Sequence, residues 1–316
     1  MSDLSSSGQI DKRVEQLLRQ ADALRKFPTP VDDIIVAQRL TVSSPDDSPL
    51  APGMLARAPA ALRAKLGAVP FKVLAVLDRR ERVVHVHPET SNTNHERFNK
   101  LHEVGHDLCP WQDLTHAIDG RSQLDPGTTQ LFEREANYAG ARLLFQGNVF
   151  NEVARSYETG MATVLLLAEQ FGGSIHAAFH QYVSTHLDGM AGYILRRSPA
   201  VDPPSGNLYF PIKLALSSPK FSSTYAPPET LGTGLSSSTH HDLTGAWQRL
   251  SAGDDIGTGE IHIQRGDGIM ETVDFEMFSN SYNLFMLIIP RKRHFFARSV
   301  RLVSTAEEPS DYFPSR

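Results

Sequence analysis

Residues 100–109 read KLHEVGHDLC, and the His-Glu-x-x-His pattern inside them decides how the rest of the chain is read. On an α-helix, residues four apart lie on one face about one turn apart, so His102 and His106 can aim ring nitrogens at a common ion. Glu103 sits beside the first histidine, where its carboxylate can reach a water at that ion without being a ligand. Zinc takes nitrogen, oxygen and sulfur donors in a tetrahedron, and a catalytic zinc site leaves one position for water. In that chemistry the glutamate is the general base, taking a proton from the water and passing it to a leaving amine. Phe98, Leu101, Gly105 and Leu108 form an apolar stripe that leaves the histidines on a neighbouring strip. Gly105 leaves room for a neighbouring element to approach. The same spacing also suits an amphipathic helix with two solvated histidines, so a third donor is what separates the readings.

That donor is expected in LFEREANYAGARLLF, a strongly helical stretch carrying Glu133 and Glu135, 27 and 29 residues beyond His106. A helix packed antiparallel on the first can present either carboxylate to the ion. Cys109, one turn past His106, reads as a small buried hydrophobe rather than a ligand. His85 and His87 alternate with Val84 and Val86 on a strand ahead of the helix. His116, Tyr157, His176 and His180 are of the right types to stabilise an oxyanion, and the sequence does not choose among them.

The 316 residues suffice for one large or two ordinary domains, and 40% hydrophobic with 21% charged residues reads as soluble and globular. A formal charge of -5 gives no case for a nucleic-acid binder, and the basic run PRKRHFFARSVR (290–301) reads as a solvated strand or tail. A single cysteine excludes an internal disulfide framework and suits a reducing compartment. The N-terminal residues lack an apolar signal core, and VLLLA at 164–168 is too short to span a bilayer. A cytoplasmic location is the expectation.

Val14, Leu17, Leu18, Ala21 and Leu24 are spaced as one face of a first helix, and PTPVDDIIVAQRL predicts a second with Pro30 in its first turn. PFKVLAVLD and RVVHVHP predict a hairpin about the turn RRE. Helices follow at about 94–109, 130–146 and 160–171, and another after Ser174 as N-cap. RRSPAVDPPSG then reads as a linker, and SSPKFSSTYAPPETLGTGLSSSTHH as a long polar loop or disordered insert. NLYFPIKLAL, GEIHIQR, IMETVDFEMF and YNLFMLIIP predict strands, with RGDG as a tight turn. The expected fold is α+β. It has a mostly helical zincin-like domain with a small sheet over 1–196, a linker over 197–206, a smaller β-rich domain over 207–303 and a tail over 304–316.

Several segments together resemble the ImmA/IrrE family of zinc metallopeptidases: PTPVDDII, RVVHVHP, RFNKLHEVGHDL, EREANYAGARLL and AEQFGGSIHAAFHQYV. The family pattern runs Arg-Phe-x-x-x-His-Glu-Leu-Gly-His, then Glu-x-Glu-Ala-Asn-x-Phe-Ala-x-x-Leu-Leu. Arg97, Phe98, His102, Glu103, Gly105, His106, Glu133, Glu135, Ala136, Asn137, Leu143 and Leu144 match it. Val104 stands in place of the leucine, Gly140 in place of a common alanine and His180 in place of a frequent arginine; LLFQ lacks the Met-Pro that follows the double leucine.

The resemblance implies a zinc endopeptidase with Glu103 as base and His102, His106 and one of the two glutamates as ligands. Glu135 is favoured, because related zinc peptidases place alanine immediately after the ligand. Glu133 has its own argument: it lies four residues before Asn137, which could then support the site. The implied partner is a protein substrate, commonly a helix-turn-helix transcriptional repressor, in a stress, phage or mobile-element response. The alternative is a zinc-containing regulatory protein that sequesters a partner without cutting it. Some members of the family end in a GAF-like sensor, which by position would be the β-rich region. The resemblance also implies an edge strand before the metal helix that pairs with extended substrate.

Overall fold

The structure is a computed structural model, and it describes residues 4–43, 75–86, 93–113, 125–201, 205–227 and 232–290. His87, His116 and the basic run after residue 290 lie outside the described residues. The chain opens with α1 (Ser7–Gln20) and α2 (Val31–Ala37), which follows Pro30 as its N-cap. A small three-stranded sheet then forms from β1 (Thr41–Val42), β2 (Ala75–Asp78) and β3 (Val83–Val86). The predicted hairpin is present, with Ala75 opposite Val86 and Asp78 opposite Val83. The strand order is β1-β3-β2, so β3 has a neighbour on each side. Among the described residues β3 thus lies inside this sheet, with β2 along one side and β1 against Val83 and Val84 on the other, so RVVHVHP is not the edge strand expected to receive a substrate.

Four longer helices carry the middle of the chain: α3 (Thr93–Asp107), α4 (Pro126–Leu144), α6 (Met161–Phe171) and α7 (Ile175–Thr185), with the short α5 (Val149–Ala154) between the second and third. Asp125 starts α4 by accepting from the amides of Gly127 and Thr128, ahead of Pro126. Ser174 caps α7 as the sequence predicts, accepting from the Ala177 amide. No helix among the described residues is long and apolar enough to cross a membrane.

The C-terminal part is one antiparallel sheet. Its strands are β4 (Ala191–Arg196), β5 (Ala200–Val201), β6 (Leu208–Ser217), β7 (Gly234–Ser236), β8 (Gly257–Gln264), β9 (Met270–Ser279) and β10 (Asn283–Ile289). The order is β5-β6-β4-β10-β9-β8, with β7 on β6. The fold is therefore α+β, as expected. Two details differ from the sequence reading. The supposed polar insert holds α8 (Pro219–Thr224) and β7, and a further helix, α9 (Asp242–Ala252), precedes β8. The boundary expected at 196 falls after β4, which sits in the interior of the sheet between β6 and β10.

Both faces of this sheet are covered, which explains why NLFMLII reads as a continuous apolar run rather than an alternating one. On β10, Phe285 and Leu287 join the helical core, whereas Leu284, Met286 and Ile288 join a second core beneath α9. Phe285 packs edge-on against Phe179 of α7 at 5.3 Å between ring centres. Glu276 of β9 reaches across and accepts a 2.6 Å hydrogen bond from the Met161 amide at the start of α6. The sheet and the helices share one apolar interior.

Candidate metal centre

Helices α3 and α4 cross closely, and glycine is what permits the distance. A Cβ on Gly105 would stand 2.6 Å from the Ala136 carbonyl oxygen, and one on Gly140 would stand 3.1 Å from the His102 backbone nitrogen. Gly105 thus faces Ala136 while His102 faces Gly140, so the two helices run antiparallel. The departure from alanine at residue 140 has a structural reason in this crossing. Arg97, one helical turn and a residue before His102, anchors α3 from behind by donating to the Gly172 carbonyl at 3.0 Å and to the Thr29 carbonyl. At the other end of α3, Asp107 accepts from Arg82 on the β2–β3 turn and from Gln38 after α2.

This crossing gathers His102, His106 and Glu133, with one potential ligand atom from each within 4.8 Å of the others. The Nε2 atoms of His102 and His106 lie 3.3 Å and 3.5 Å from the two oxygens of Glu133. Both Nδ1 atoms face away and are occupied: His102 meets Asn137 Oδ1 at 3.1 Å and His106 meets Gln112 Oε1 at 3.0 Å. The amide oxygens there accept from Nδ1–H, so Nε2 is the nitrogen each ring directs at Glu133 and the one able to ligate once it carries no proton. Glu133 is 54% exposed and the two histidines 16% and 17%, so the cluster opens to solvent on its carboxylate side.

The electrostatics follow from these contacts. Hydrogen bonds from His102 and then His106 hold the Glu133 carboxyl below the ordinary carboxylate range. Burial opposes charge on the His106 ring, but the bond to Glu133, the Glu103 carboxylate and the Gln112 amide outweigh it and raise its pKa. Glu103 is 8% exposed, and no hydrogen bond to a described residue occupies its carboxylate. Two imidazole nitrogens and a carboxylate oxygen, with the imidazoles already oriented, are a donor set that fits zinc.

Glu135, the ligand favoured from sequence, is elsewhere. It is 3% exposed on the buried face of α4 and accepts from Ser6 Oγ at 2.6 Å, Trp111 Nε1 at 2.9 Å and Gln112 Nε2 at 2.9 Å. The reason is helical geometry: two residues along α4 turn a side chain by about 200°, so Glu133 and Glu135 cannot share a face. Gln112, which sequence reasoning passed over, joins the site because it follows α3 closely enough to fold back on His106. Cys109 is fully buried, and burial, helped by Glu135, pushes its thiol up to about 12. His176 lies against Phe285 under the sheet, and burial lowers its pKa and that of His180. Tyr157 is 40% exposed and is not one of the residues gathered in the cluster.

The domain built on this crossing is of a known kind. The family model described as the IrrE N-terminal-like domain (peptidase M78) matches residues 67–181, which supports the resemblance to the ImmA/IrrE family over that span. No curated protein sequence matches the chain. Among solved structures, one titled "Mycobacterium tuberculosis transcriptional regulator" is similar at 11% identity and a TM-score of 0.48, covering 96% of this chain and 94% of that one.

Proposed function

We propose that the protein is a zinc-dependent endopeptidase in which His102, His106 and Glu133 hold the metal and Glu103 is the general base. The observation that carries this reading is the tying-off of both Nδ1 atoms by Asn137 and Gln112, which leaves two Nε2 atoms and one carboxylate converging. Solvated histidines on a surface helix have no need of such partners. Bound there, zinc supplies Lewis acidity, which acidifies water and polarises a carbonyl. Glu103 takes a proton from the attacking water on a carboxylate oxygen and hands it to the leaving nitrogen. Its low exposure, with no hydrogen bond from a described residue on its carboxylate, supports that role.

The proposed substrate is a protein partner, a helix-turn-helix repressor by family resemblance. The proposed role of the β-rich part is that of a GAF-like sensor; its curled antiparallel sheet and the second core beneath α9 support this. The test is a pair of variants of the full chain, assayed for bound zinc and for cleavage of the repressor encoded nearest to it. Glu103→Gln is expected to keep its zinc and lose at least about a hundredfold in rate. Glu133→Ala is expected to lose the metal. Undiminished cleavage by the first, or full zinc occupancy in the second, overturns the assignment.

A further inference from the structure

We propose that Glu135 is a positioning residue that sets the tautomer of His106 through Gln112, an inference that rests on His106 being a metal ligand. A buried carboxylate costs several kcal/mol in desolvation unless it is fully hydrogen-bonded, and an apolar residue would serve packing better. Here the carboxylate sits on the core face of α4 among Phe132, Ala136 and Ala139, and three donors from two parts of the chain are spent on it. One of them is unusual. Ser6 occupies the N-cap of α1, yet its hydroxyl makes no cap bond and donates to Glu135 instead.

The consequence runs through the amide of Gln112, which is fully buried. Its Nε2 stands 2.9 Å from Glu135 Oε2 and 3.5 Å from the Phe132 carbonyl, two groups that can only accept. Turning the amide over would place its oxygen against both. The NH₂ is thereby fixed on the Glu135 side, and Oε1 is the atom left to face His106 Nδ1 at 3.0 Å. An acceptor at Nδ1 holds a proton there, so that the neutral ring offers Nε2 to a metal once the contact of Nε2 with Glu133 is given up. If the amide were reversed, its NH₂ would favour the opposite tautomer, whose Nε2–H cannot ligate. Glu135 therefore acts two groups away from the metal position, and it links α1 to that position through Ser6.

Glu135→Gln and Gln112→Met are the variants that test this in the full chain. In the metal-free protein, nitrogen NMR of the imidazoles at a pH well above their protonation reads the tautomers directly. In a Glu133→Ala background, which removes the competing acceptor from Nε2, His106 is expected to be held as Nδ1–H, and both variants to shift it towards Nε2–H, while His102, held by Asn137, stays unchanged. With Glu133 in place, zinc affinity, measured by competition with a chromophoric chelator, is expected to fall about 10–100-fold in each. The double variant is expected to lose no more than the worse single one, because both act along one route. An unchanged His106 tautomer in Glu135→Gln overturns the proposal; if that variant does not fold, an unchanged tautomer in Gln112→Met does so. Loss of zinc in Glu135→Gln with normal affinity in Gln112→Met also overturns it, by making Glu135 a ligand. A wild type that binds no zinc fails the metal reading instead, and the tautomer measurement still decides the role of Glu135.

Discussion

Replacing Gly105 by alanine tests whether the helix crossing builds the candidate metal centre. The new Cβ would lie 2.6 Å from the Ala136 carbonyl oxygen, 3.1 Å from the Ala139 Cβ and 3.2 Å from the Ala136 Cα. Restoring an ordinary 3.4 Å contact to that oxygen needs about 0.8 Å of movement. The obstacle is backbone and cannot rotate aside, so α4 must move as a body and take Glu133 with it. Metal sites hold their ligand distances to within about 0.2 Å, and the required shift is several times larger. Overpacking of this kind costs about 1–3 kcal/mol, offset by up to about 1 kcal/mol from the better helix propensity of alanine. A net loss of about 1 kcal/mol is expected in urea denaturation of the metal-free protein. Zinc affinity by chelator competition is expected to fall at least about tenfold, about 1.4 kcal/mol. Gly8 in α1, whose added Cβ would meet nothing within 4 Å, is the control. Gly8→Ala should gain about 0.4–1 kcal/mol and leave zinc binding alone. If Gly105→Ala behaves like Gly8→Ala, the crossing does not set the site.

Two other outcomes follow from the core. A chain ended at Ser198 leaves β4 without β6 and β10 and strips Phe285 and Leu287 from the helical interior, so it should be insoluble or bind hydrophobic dyes. A soluble, monomeric fragment of that length with normal zinc binding would refute the shared interior. Cys109, fully buried and with its thiol pushed up to about 12, should resist a disulfide reagent at neutral pH until the protein is unfolded. Native labelling as fast as that of a free thiol would contradict its burial.

Much of the helical part was legible because its periods are strong. The apolar stripe of α3, the Ser174 cap and the hairpin turn each encode local structure in a few adjacent residues. The carboxylate that joins the two histidines was legible too, but by one of two competing arguments. Analogy with an alanine that follows the ligand pointed to Glu135. The helical offset from Glu133 to Asn137 pointed to the carboxylate that lies at the cluster, with Asn137 on the ring of His102. Helical phase also separates the pair: Glu135 is in register with Phe132, Ala139 and Leu143 on the buried face. Helix α9 was missed because serines, histidines and glycines around it mask a short stripe of Leu243, Ala246, Trp247 and Leu250. The place of β4 could not be read at all. Its neighbours β6 and β10 are chosen by pairing over long stretches of chain, and composition changes after β4 rather than before it.

Helix α6 is held at its start by Glu276 from the sheet and at its end by Arg97 from the helix that carries the histidines. A carboxylate at a helix N-terminus contributes about 0.3–1 kcal/mol and satisfies an amide that has no partner within the helix. The two ends of one helix are thus finished by two different parts of the protein. Chimaeras bear directly on this. A C-terminal sheet transplanted from a relative, with every buried contact matched, would still leave the Met161 amide bare unless it brought an acid to the position of Glu276. Compatibility between exchanged halves is therefore set by a residue that belongs to neither the apolar interior nor the metal site.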